Sequence, residues 1–430
     1  MYNMKHDNIK ILLVSHSPFL NGAEIALYNL ATNLDKDKFE VHMVFPFDGP
    51  IAAMAKKAGI FCHFSPMERW IRFVSERPIV NSELSQRVDK LCSLIKELGI
   101  DIVHSNTSVI IEGAIAAALT NTQHVWHIHE FLKQHPELRV IFPIEYVYNV
   151  IEQLSDKVVS VSDFVKSQFE FRDKRKLVTV YNGIEESHVL KQNNYIREHC
   201  NLNESDLIVI AVGLLSRTKG FTTFLETANL TAKAERNIKF VWVGGNGSNS
   251  IKMFRRFVKK NKLENSVFYL GHRMDVRQLI ESSDILICTS ILETFSLTIV
   301  EAMSVKKPVI STNCGGPAET ILDNHTGYLI PIDDSSKMSE LILELSENKL
   351  KRECMGKNGY KQFMERFTLD KYVTSIGHLY SELSGQSIDN DALRSRYLTA
   401  ESILQVYERA SIKNWSEMKE SFFSKILNRM

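Results

Sequence analysis

The stretch SILETFSLTIVEAMSVKKPVIS, residues 290 to 311, joins two short apolar runs through a hydroxyl-rich turn and a segment with helical spacing. Such a pattern predicts a buried strand, a helix and a second strand in succession. Two acidic residues, Glu293 and Glu301, stand eight positions apart within it, with seven residues between them. Because Glu293 precedes the predicted helix and Glu301 lies about one turn inside it, one ligand at the helix start could contact both.

The predicted helix begins near Ser296 or Thr298, and its first backbone N–H groups lack partners within the helix. These N–H groups carry partial positive charge, which suits phosphate or sugar oxygens. A purely structural interpretation is open as well. The segment from Thr298 to Glu301 fits a capping box, in which Glu301 only closes the helix start, and Glu293 would then be an ordinary loop residue.

Apolar runs and amphipathic segments alternate along the rest of the chain, which favours parallel sheets covered by helices on both faces. The alternation begins at residues 9–15, IKILLVS, and restarts at residues 207–213, LIVIAVG. Between the two sets, residues 185–203 are polar and without a strong period, and are predicted to form a hinge. A chain of 430 residues accommodates two such domains.

A helical segment is predicted after about residue 385. Its apolar stripe consists of Trp415, Met418, Phe422 and Leu427.

Composition excludes several classes of protein. The 52 basic and 51 acidic residues nearly cancel, which disfavours a nucleic-acid binder. Six scattered cysteines without a CxxC pair favour a reducing compartment and no structural zinc. The N-terminus does not resemble a signal peptide, and no apolar run approaches the roughly 20 residues of a membrane helix. We therefore expect a cytoplasmic protein.

No metal or dinucleotide motif stands where it would be needed. D-x-D occurs at Asp35–Asp37, in a polar loop, and at Asp389–Asp391, in the tail, where solvated charges are expected. The first strand is not followed by GxGxxG, which argues against a nicotinamide-dependent dehydrogenase. The turn at 244–247, GGNG, lacks the Lys-Ser/Thr of a P-loop.

The segment 267–330 resembles the donor-domain signature of the family 4 retaining glycosyltransferases, and Glu293 and Glu301 match the two glutamates of its E-x7-E motif. NGAEIALYNLA near the N-terminus, HIHE at 127–130 and RTKG at 217–220 are similar to further elements of that family, in the same order. The resemblance covers about residues 9 to 380.

The resemblance implies the GT-B fold, an α/β architecture with two Rossmann-like parallel-sheet domains flanking a cleft. Residues 1–187 would form the N-terminal acceptor-binding domain, and residues 188–372 the nucleotide-sugar-binding domain. Residues 373–430 would supply C-terminal helices that cross back to the first domain, followed by a tail.

The implied reaction moves a hexose from a UDP- or GDP-linked nucleotide sugar to a glycan, protein or lipid-linked acceptor, with retention at the anomeric carbon, as in bacterial polysaccharide biosynthesis. No cofactor or metal is expected, because Lys219 and helix N–H groups would neutralise the diphosphate. Contact with the inner face of the membrane, or with a partner glycosyltransferase, is also implied, and nucleic acid is not.

The resemblance assigns roles on the donor side. Glu293 would lie near hydroxyls of the donor sugar, Glu301 would accept hydrogen bonds from the ribose, and Lys219 would stabilise the leaving diphosphate. Leu214 stands where the family usually has arginine. Arg217 would replace that charge or be an ordinary surface residue. The other expected donor-binding residues are Gly22, Gly244, Arg273, Phe295, Ser296 and Leu297.

On the acceptor side, His127 and His129 alternate at a strand end and so share one face. The motif match makes His129 the catalytic acceptor-side histidine near the primary hydroxyl of the sugar, accompanied by His127 and Glu130. A structural role for these histidines is the alternative. Gly22 is expected to form a turn with positive φ facing the diphosphate, and Asn21 before it would tolerate such a turn.

Two rival hypotheses remain open. The first is a catalytically silent homologue that acts as partner or chaperone of an active transferase; such copies commonly lose one of the site residues, and Leu214 keeps this alternative open. The second is another GT-B enzyme, a sugar-nucleotide epimerase or a phosphorylase. Segments 68–74 and 164–176 mix basic and aromatic residues and would either meet a membrane or form solvated helix faces.

Overall fold

The computed structural model describes residues 8–74, 83–133, 135–140, 142–186, 195–245, 248–386 and 390–412. The chain forms two compact units. Unit 1 contains Met1–Val180 together with Tyr372–Met430, and unit 2 contains Tyr181–Lys371. Residues 187–194 of the predicted hinge lie outside the described residues, and so does the predicted apolar stripe of the tail at residues 413–430.

The strands of unit 1 are β1 (Ile9–Ser15), β2 (Phe39–Phe45), β3 (Phe61–Phe64), β4 (Ile71–Phe73), β5 (Ile102–Asn106), β6 (Gln123–Ile128), β7 (Leu138–Val140), β8 (Lys157–Ser160) and β9 (Leu177–Thr179). Its helices up to residue 180 are α1 (Gly22–Asn33), α2 (Pro50–Lys57), α3 (Leu84–Leu98), α4 (Glu112–Thr120), α5 (Ile144–Leu154), α6 (Asp163–Lys166) and a 3-10 turn at Lys174–Lys176.

Seven of these strands form a parallel sheet in the order β3-β2-β1-β5-β6-β8-β9. Strand β1 lies in the middle and has no exposed side chain from Ile11 to Val14, which is why its sequence is a continuous apolar run. The remaining two strands, β4 and β7, pair antiparallel as a separate ribbon.

The elements that follow are α7 (Tyr195–Cys200), β10 (Leu207–Val212), α8 (Phe221–Ala234), β11 (Ile238–Val243), α9 (Ser248–Lys260), β12 (Val267–Gly271), α10 (Val276–Glu281), β13 (Ile285–Cys288), α11 (Leu297–Ser304), β14 (Val309–Thr312), α12 (Pro317–Thr320), β15 (Gly327–Ile330), α13 (Ser335–Glu347), α14 (Lys349–Arg366), α15 (Leu369–Ser384) and α16 (Asn390–Ile412).

Unit 2 is built on a six-stranded parallel sheet in the order β12-β11-β10-β13-β14-β15. Its core is dominated by aromatic and aliphatic side chains of the central strands and of α8; Phe224 packs edge-to-face on Phe240 and Trp242. Most of α15, from Tyr372, and all of the described α16 belong to unit 1.

Both sheets change direction of strand order at their centre. In unit 1 the change falls between β1 and β5, and in unit 2 between β10 and β13. Loops that leave the carboxyl ends of the strands on either side of such a point diverge and leave a crevice, where ligands bind in open α/β sheets. Each unit therefore has one edge at which a site is expected.

Some elements differ from the sequence-based expectation. Residues 164–176 do not form one helical face, because α6 ends at Lys166 and only a 3-10 turn follows at Lys174–Lys176. Strand β3 was not predicted, since at this sheet edge Phe61 and Phe64 are both exposed and the segment lacks an apolar period. Among the described helices, none is long and apolar enough to cross a membrane.

Candidate functional site

In unit 2, the turn that carries Lys219 is locked to the end of β13. Ile291 donates its backbone N–H to the Thr218 carbonyl at 2.8 Å, and the Thr289 hydroxyl donates to the Lys219 carbonyl at 3.0 Å. Gly220 has φ +67°, and a Cβ at this position would lie 1.8 Å from the Thr289 carbonyl oxygen. Only glycine fits there, so the backbone of Lys219 has a fixed place.

Lys219 and Glu293 form a direct ion pair. Lys219 Nζ lies 2.6 Å from Glu293 Oε1, and the Ser290 hydroxyl donates to the same oxygen at 2.7 Å. Burial disfavours the charged ammonium, but the adjacent carboxylate outweighs it and the pKa of Lys219 is raised. Glu293 Oε2 has no hydrogen bond among the residues described, which leaves one carboxylate oxygen for a ligand.

The backbone around Glu293 is tied to the loop after β14. Its N–H donates to the Cys314 carbonyl at 3.1 Å, and its carbonyl accepts from the Gly316 N–H at 2.8 Å. A Cβ on Gly316 would lie 2.3 Å from the Thr294 carbonyl oxygen. The glycine therefore permits the close approach of two loops, and the position of Glu293 is determined by β13 and β14 together.

Helix α11 begins at Leu297, with Ser296 as its N-cap in a left-handed conformation at φ +70°. The Ser296 side chain makes no capping hydrogen bond, and Glu301 lies in the second turn. The capping-box interpretation is therefore wrong, because Thr298 is inside the helix and cannot serve as its cap. In the first turn of α11 the Ile299 N–H donates to the Ser296 carbonyl at 3.2 Å, and helix geometry leaves the N–H groups before it without a partner inside the helix.

Glu301 is partly exposed, and its carboxylate accepts no hydrogen bond from any residue in the described part of the chain. Burial raises the pKa of Glu301 to about 7, opposed by the charge of Arg277. A half-desolvated carboxyl group without a partner on the second turn of α11 is suited to accept hydrogen bonds from a ligand.

The other expected donor-side residues differ in the contacts that they make. Arg217 is exposed, and its guanidinium makes no ion pair with any described residue. Arg273 instead forms a bidentate ion pair with Asp275, at 2.7 and 2.8 Å, and donates to the Tyr195 hydroxyl. Arg273 is thus already engaged in local structure. Gly244 allows two turns to approach, since a Cβ there would lie 1.9 Å from the Gly213 carbonyl oxygen.

In unit 1, the candidate residues gather at the carboxyl ends of β1, β5 and β6. His129 is half-buried, and its Nε2 lies 3.0 Å from Asn106 Oδ1. His127 is fully buried, and neither ring nitrogen has a partner among the described residues. Burial, and then the neighbouring His104, hold the pKa of His127 well below its ordinary value. The ring centroids of His127 and His129 are 4.5 Å apart, and the buried His127 is not exposed to a ligand.

Glu130 is held by Ser108, whose N–H and hydroxyl donate to Oε2 at 2.9 and 2.8 Å. Burial raises the pKa of Glu130 despite these bonds. Ser108 lies just after β5, so the end of this strand positions Glu130.

Sequence reasoning missed two further members of this cluster, His16 and Glu24. His16 Nε2 lies 3.2 Å from Glu24 Oε1, and His16 Nδ1 lies 3.3 Å from the Thr107 hydroxyl. Burial lowers the pKa of His16 to about 4 and raises that of Glu24 to about 7. Both follow the first strand, the position from which an α/β sheet presents ligand-binding residues, and that was the available signal.

The structure contradicts the turn expected at Gly22, and it places Trp70 of the segment 68–74 in the core. Gly22 is the first residue of α1 and does not have positive φ, and Asn21 before it is extended at φ −103°. In the segment 68–74, Trp70 is buried and donates its indole N–H to the Ser108 carbonyl at 2.7 Å. Trp70 is therefore a core residue and does not anchor the protein to a membrane.

Comparisons with known proteins agree with this architecture. A model for "Glycosyl transferases group 1" matches residues 192–362, and one for "Glycosyltransferase Family 4" matches residues 20–188. The chain is 26% identical over 383 residues to an uncharacterized glycosyltransferase of Methanocaldococcus jannaschii, covering 87% of this chain and 99% of the relative.

A second relative is the UDP-Gal:alpha-D-GlcNAc-diphosphoundecaprenol alpha-1,3-galactosyltransferase of Escherichia coli, 24% identical over 395 residues, with 88% of this chain and 98% of the relative covered. Among solved structures, Anabaena HepE in complex with UDP and glucose superposes with a TM-score of 0.74 at 22% identity, covering 87% of this chain and 100% of HepE.

Two parallel α/β units of this kind define a glycosyltransferase with the GT-B fold. The two matched segments together span most of the chain. It belongs to the family 4 glycosyltransferases.

Proposed function

We propose that the protein transfers a sugar from a UDP- or GDP-linked donor to a hydroxyl group of a glycan or lipid-linked acceptor, with retention at the anomeric carbon. The observation that carries the proposal is the Lys219–Glu293 pair at 2.6 Å, fixed at the carboxyl ends of β10 and β13. A cation and a carboxylate held together at a switch point suit a substrate that has both a diphosphate and sugar hydroxyls.

Lys219 supports a role at the leaving group. As the bond between the sugar and the diphosphate breaks, negative charge accumulates on the diphosphate, and a preorganised cation stabilises this state more than the ground state. The fixed backbone around Gly220 means that little reorganisation accompanies the reaction. The backbone N–H groups at the start of α11 add partial positive charge close to Glu293 in sequence.

Glu301 supports recognition of the nucleoside. Its carboxylate has no hydrogen bond within the described residues, and a single carboxylate can accept from two vicinal hydroxyls such as those of ribose. Glu301 lies on the second turn of α11, whereas Glu293 lies in the loop before this helix. A nucleotide sugar has ribose and hexose at opposite ends of its diphosphate. Two carboxylates that lie apart, as those of Glu293 and Glu301 do, suit such a ligand.

The acceptor proposal rests on unit 1 and on the relatives. The polar cluster of His16, Glu24, His129 and Glu130 offers hydrogen-bonding groups at the edge where ligands are expected. The Escherichia coli relative is named for galactosyl transfer to a sugar linked to diphosphoundecaprenol. An acceptor with sugar hydroxyls, free or lipid-linked, in polysaccharide biosynthesis is therefore proposed.

The test is a screen of the purified protein against UDP- and GDP-linked sugars with glycan and undecaprenyl-diphosphate-linked acceptors. Free nucleotide release measures turnover, and NMR of the product gives the anomeric configuration. We expect turnover with a retained anomer, and its loss in Glu293→Gln. An inverted product would contradict retention. Binding without turnover for every pair would favour the silent-partner alternative.

A further inference from the structure

The side-chain amide of Asn106 has only one consistent orientation. Asn106 is fully buried, and Nδ2 donates to the Ala23 carbonyl of α1 at 3.2 Å. A carbonyl oxygen can only accept, so the NH2 group must face Ala23 and Oδ1 must face the other way. Oδ1 lies 3.0 Å from His129 Nε2. An amide oxygen also only accepts, and Nε2 of His129 must therefore carry a proton.

The other ring nitrogen of His129 is left without a proton. Burial, followed by the neighbouring His127 and His16, holds the pKa of His129 well below its ordinary value, so the ring is neutral near pH 7. A neutral imidazole has one N–H and one lone pair. With the proton on Nε2, the lone pair is on Nδ1, which has no hydrogen bond to any described residue.

We propose that Asn106 fixes His129 as the Nε2–H tautomer, so that Nδ1 is presented as a hydrogen-bond acceptor to a sugar hydroxyl of the bound substrate. The inference rests on the proposed function for the identity of the ligand, but the tautomer itself does not. Asn106 is a positioning residue that acts through His129.

The backbone that carries Asn106 is built to hold this arrangement. Thr107 has φ +78°, an uncommon conformation for a β-branched residue that persists only where surrounding bonds impose it. Its N–H donates to the His127 carbonyl at 2.8 Å, and its carbonyl accepts from the Trp126 indole at 2.8 Å. Three consecutive residues, Asn106 to Ser108, thereby reach three titratable side chains, those of His129, His16 and Glu130.

Titratable side chains from several elements surround His129. The ring of His129, just after β6, packs against that of His127, which in turn contacts His104 of β5. The charge of His16, after β1, also acts on His129. Glu130, next in the chain, is bonded to Ser108, and Glu24 faces His16.

The direct test is ¹⁵N NMR of the full chain labelled at histidine, which distinguishes protonated from unprotonated ring nitrogens. The His129 signals are assigned by their loss in His129→Gln. We expect Nε2 to be protonated and Nδ1 unprotonated in the wild type, with no substrate present. A protonated Nδ1, or a mixture of tautomers, would overturn the proposal whether or not the protein proves to be a glycosyltransferase.

The second arm replaces the amide with a carboxylate of the same shape, Asn106→Asp. An adjacent negative charge favours the imidazolium, so the pKa of His129 should rise and both ring nitrogens should be protonated below it. Turnover should then fall roughly tenfold per pH unit below the new pKa and recover above it, unlike the wild type. Asn121→Asp, at the exposed end of α4, makes the same chemical change away from the histidines and should leave the profile unaltered. A variant with an unshifted His129 would contradict the positioning role.

Two titrations of the labelled protein distinguish a hydroxyl of the donor sugar from a hydroxyl of the acceptor. One uses UDP-glucose, and the other uses UDP plus methyl glucoside. A shift of the His129 Nδ1 signal with UDP-glucose identifies the donor sugar, and a shift only with the glucoside identifies an acceptor. Either response supports an accepting nitrogen. An Nδ1 signal that is unchanged in both titrations, in a protein that turns over UDP-glucose, would reject contact with a hydroxyl.

Discussion

At the scale of single residues, Lys219 and Glu293 satisfy each other's charge across 2.6 Å. A ligand with a diphosphate competes with Glu293 for the lysine, and a sugar hydroxyl competes with Lys219 for the carboxylate. The pair is therefore both a structural contact and a preformed set of ligand groups. Removing one member leaves the other partly buried without its counter-ion, which costs stability as well as function.

Lys219→Ala should lower turnover at least about a hundredfold, as expected for losing one preorganised charge contact to a transition state. Arg217→Ala should have a smaller effect, because Arg217 is exposed. Lys259→Ala on the exposed face of α9 is the matched control. Steady-state nucleotide release from the three variants provides the measurement. Equal losses for Lys219→Ala and Lys259→Ala would refute a specific role.

Glu301→Gln should weaken nucleoside diphosphate binding by about 1.5–3 kcal/mol, the range for hydrogen bonds to a charged group. The pKa of Glu301 is about 7 in the free protein, whereas the bound form requires the carboxylate. Affinity should therefore increase as the pH rises through 7 and level off above it.

Calorimetric titration at several pH values checks both expectations. The phosphate of the nucleotide also titrates in this range, and the difference between wild type and Glu301→Gln isolates the carboxyl group. A difference that does not change with pH would assign the effect to some other group.

At the scale of the elements, the turn after β10 depends on Gly220, which no other residue can replace. Gly220→Ala places a methyl group 1.8 Å from the Thr289 carbonyl oxygen and also strains a backbone at φ +67°. We expect a loss of stability well beyond the roughly 1 kcal/mol of left-handed strain alone.

Gly59→Ala provides the control for that prediction. Gly59 has φ +83° but open space around the Cβ position, so only the strain applies. Urea denaturation of both variants, with turnover measured at a temperature where each is folded, separates the two contributions. A Gly220→Ala variant no less stable than Gly59→Ala would contradict the packing of the Lys219 turn against β13.

Sequence periodicity predicted the buried parallel strands and the helix α11, because continuous apolar runs and helical spacing leave a clear pattern. It did not predict β4 and β7, whose three-residue strands are too short for a period. The segments that pair with neighbours through backbone bonds alone, such as Glu293 with Gly315, leave no pattern in side chains. For the same reason, the left-handed conformation of Ser296 was not foreseen.

At the scale of the whole molecule, the proposed chemistry predicts activity in excess chelator. Within the described ranges, no group of three or more metal-ligating side chains occurs, and Lys219 with the N–H groups of α11 can neutralise a diphosphate. The measurement is turnover in EDTA, with added magnesium or manganese as the comparison. Complete loss in EDTA that either ion restores would reject the metal-free mechanism.

The candidate site divides similarly into predictable and unpredictable parts. Glu293, Glu301 and Lys219 could be named because their motif is linear in the sequence. Asn106, His16 and Glu24 could not, because their relevance comes from hydrogen bonds between residues of three separate chain segments. Their contacts depend on the order of strands in the sheet, which periodicity does not determine.

Unit 1 is assembled from two distant parts of the chain. Tyr380 of α15 donates to, or accepts from, His104 Nδ1 at 2.7 Å, and Gln123 donates to the Leu383 carbonyl at 2.7 Å. Arg396 of α16 forms an ion pair with Asp156 at 2.7 Å. During synthesis, all of unit 2 is translated before these partners exist. We therefore expect that the second unit completes its fold first, and that a nascent chain ending near residue 371 holds an unfinished N-terminal half with exposed apolar surface, the state in which such a chain most needs a chaperone.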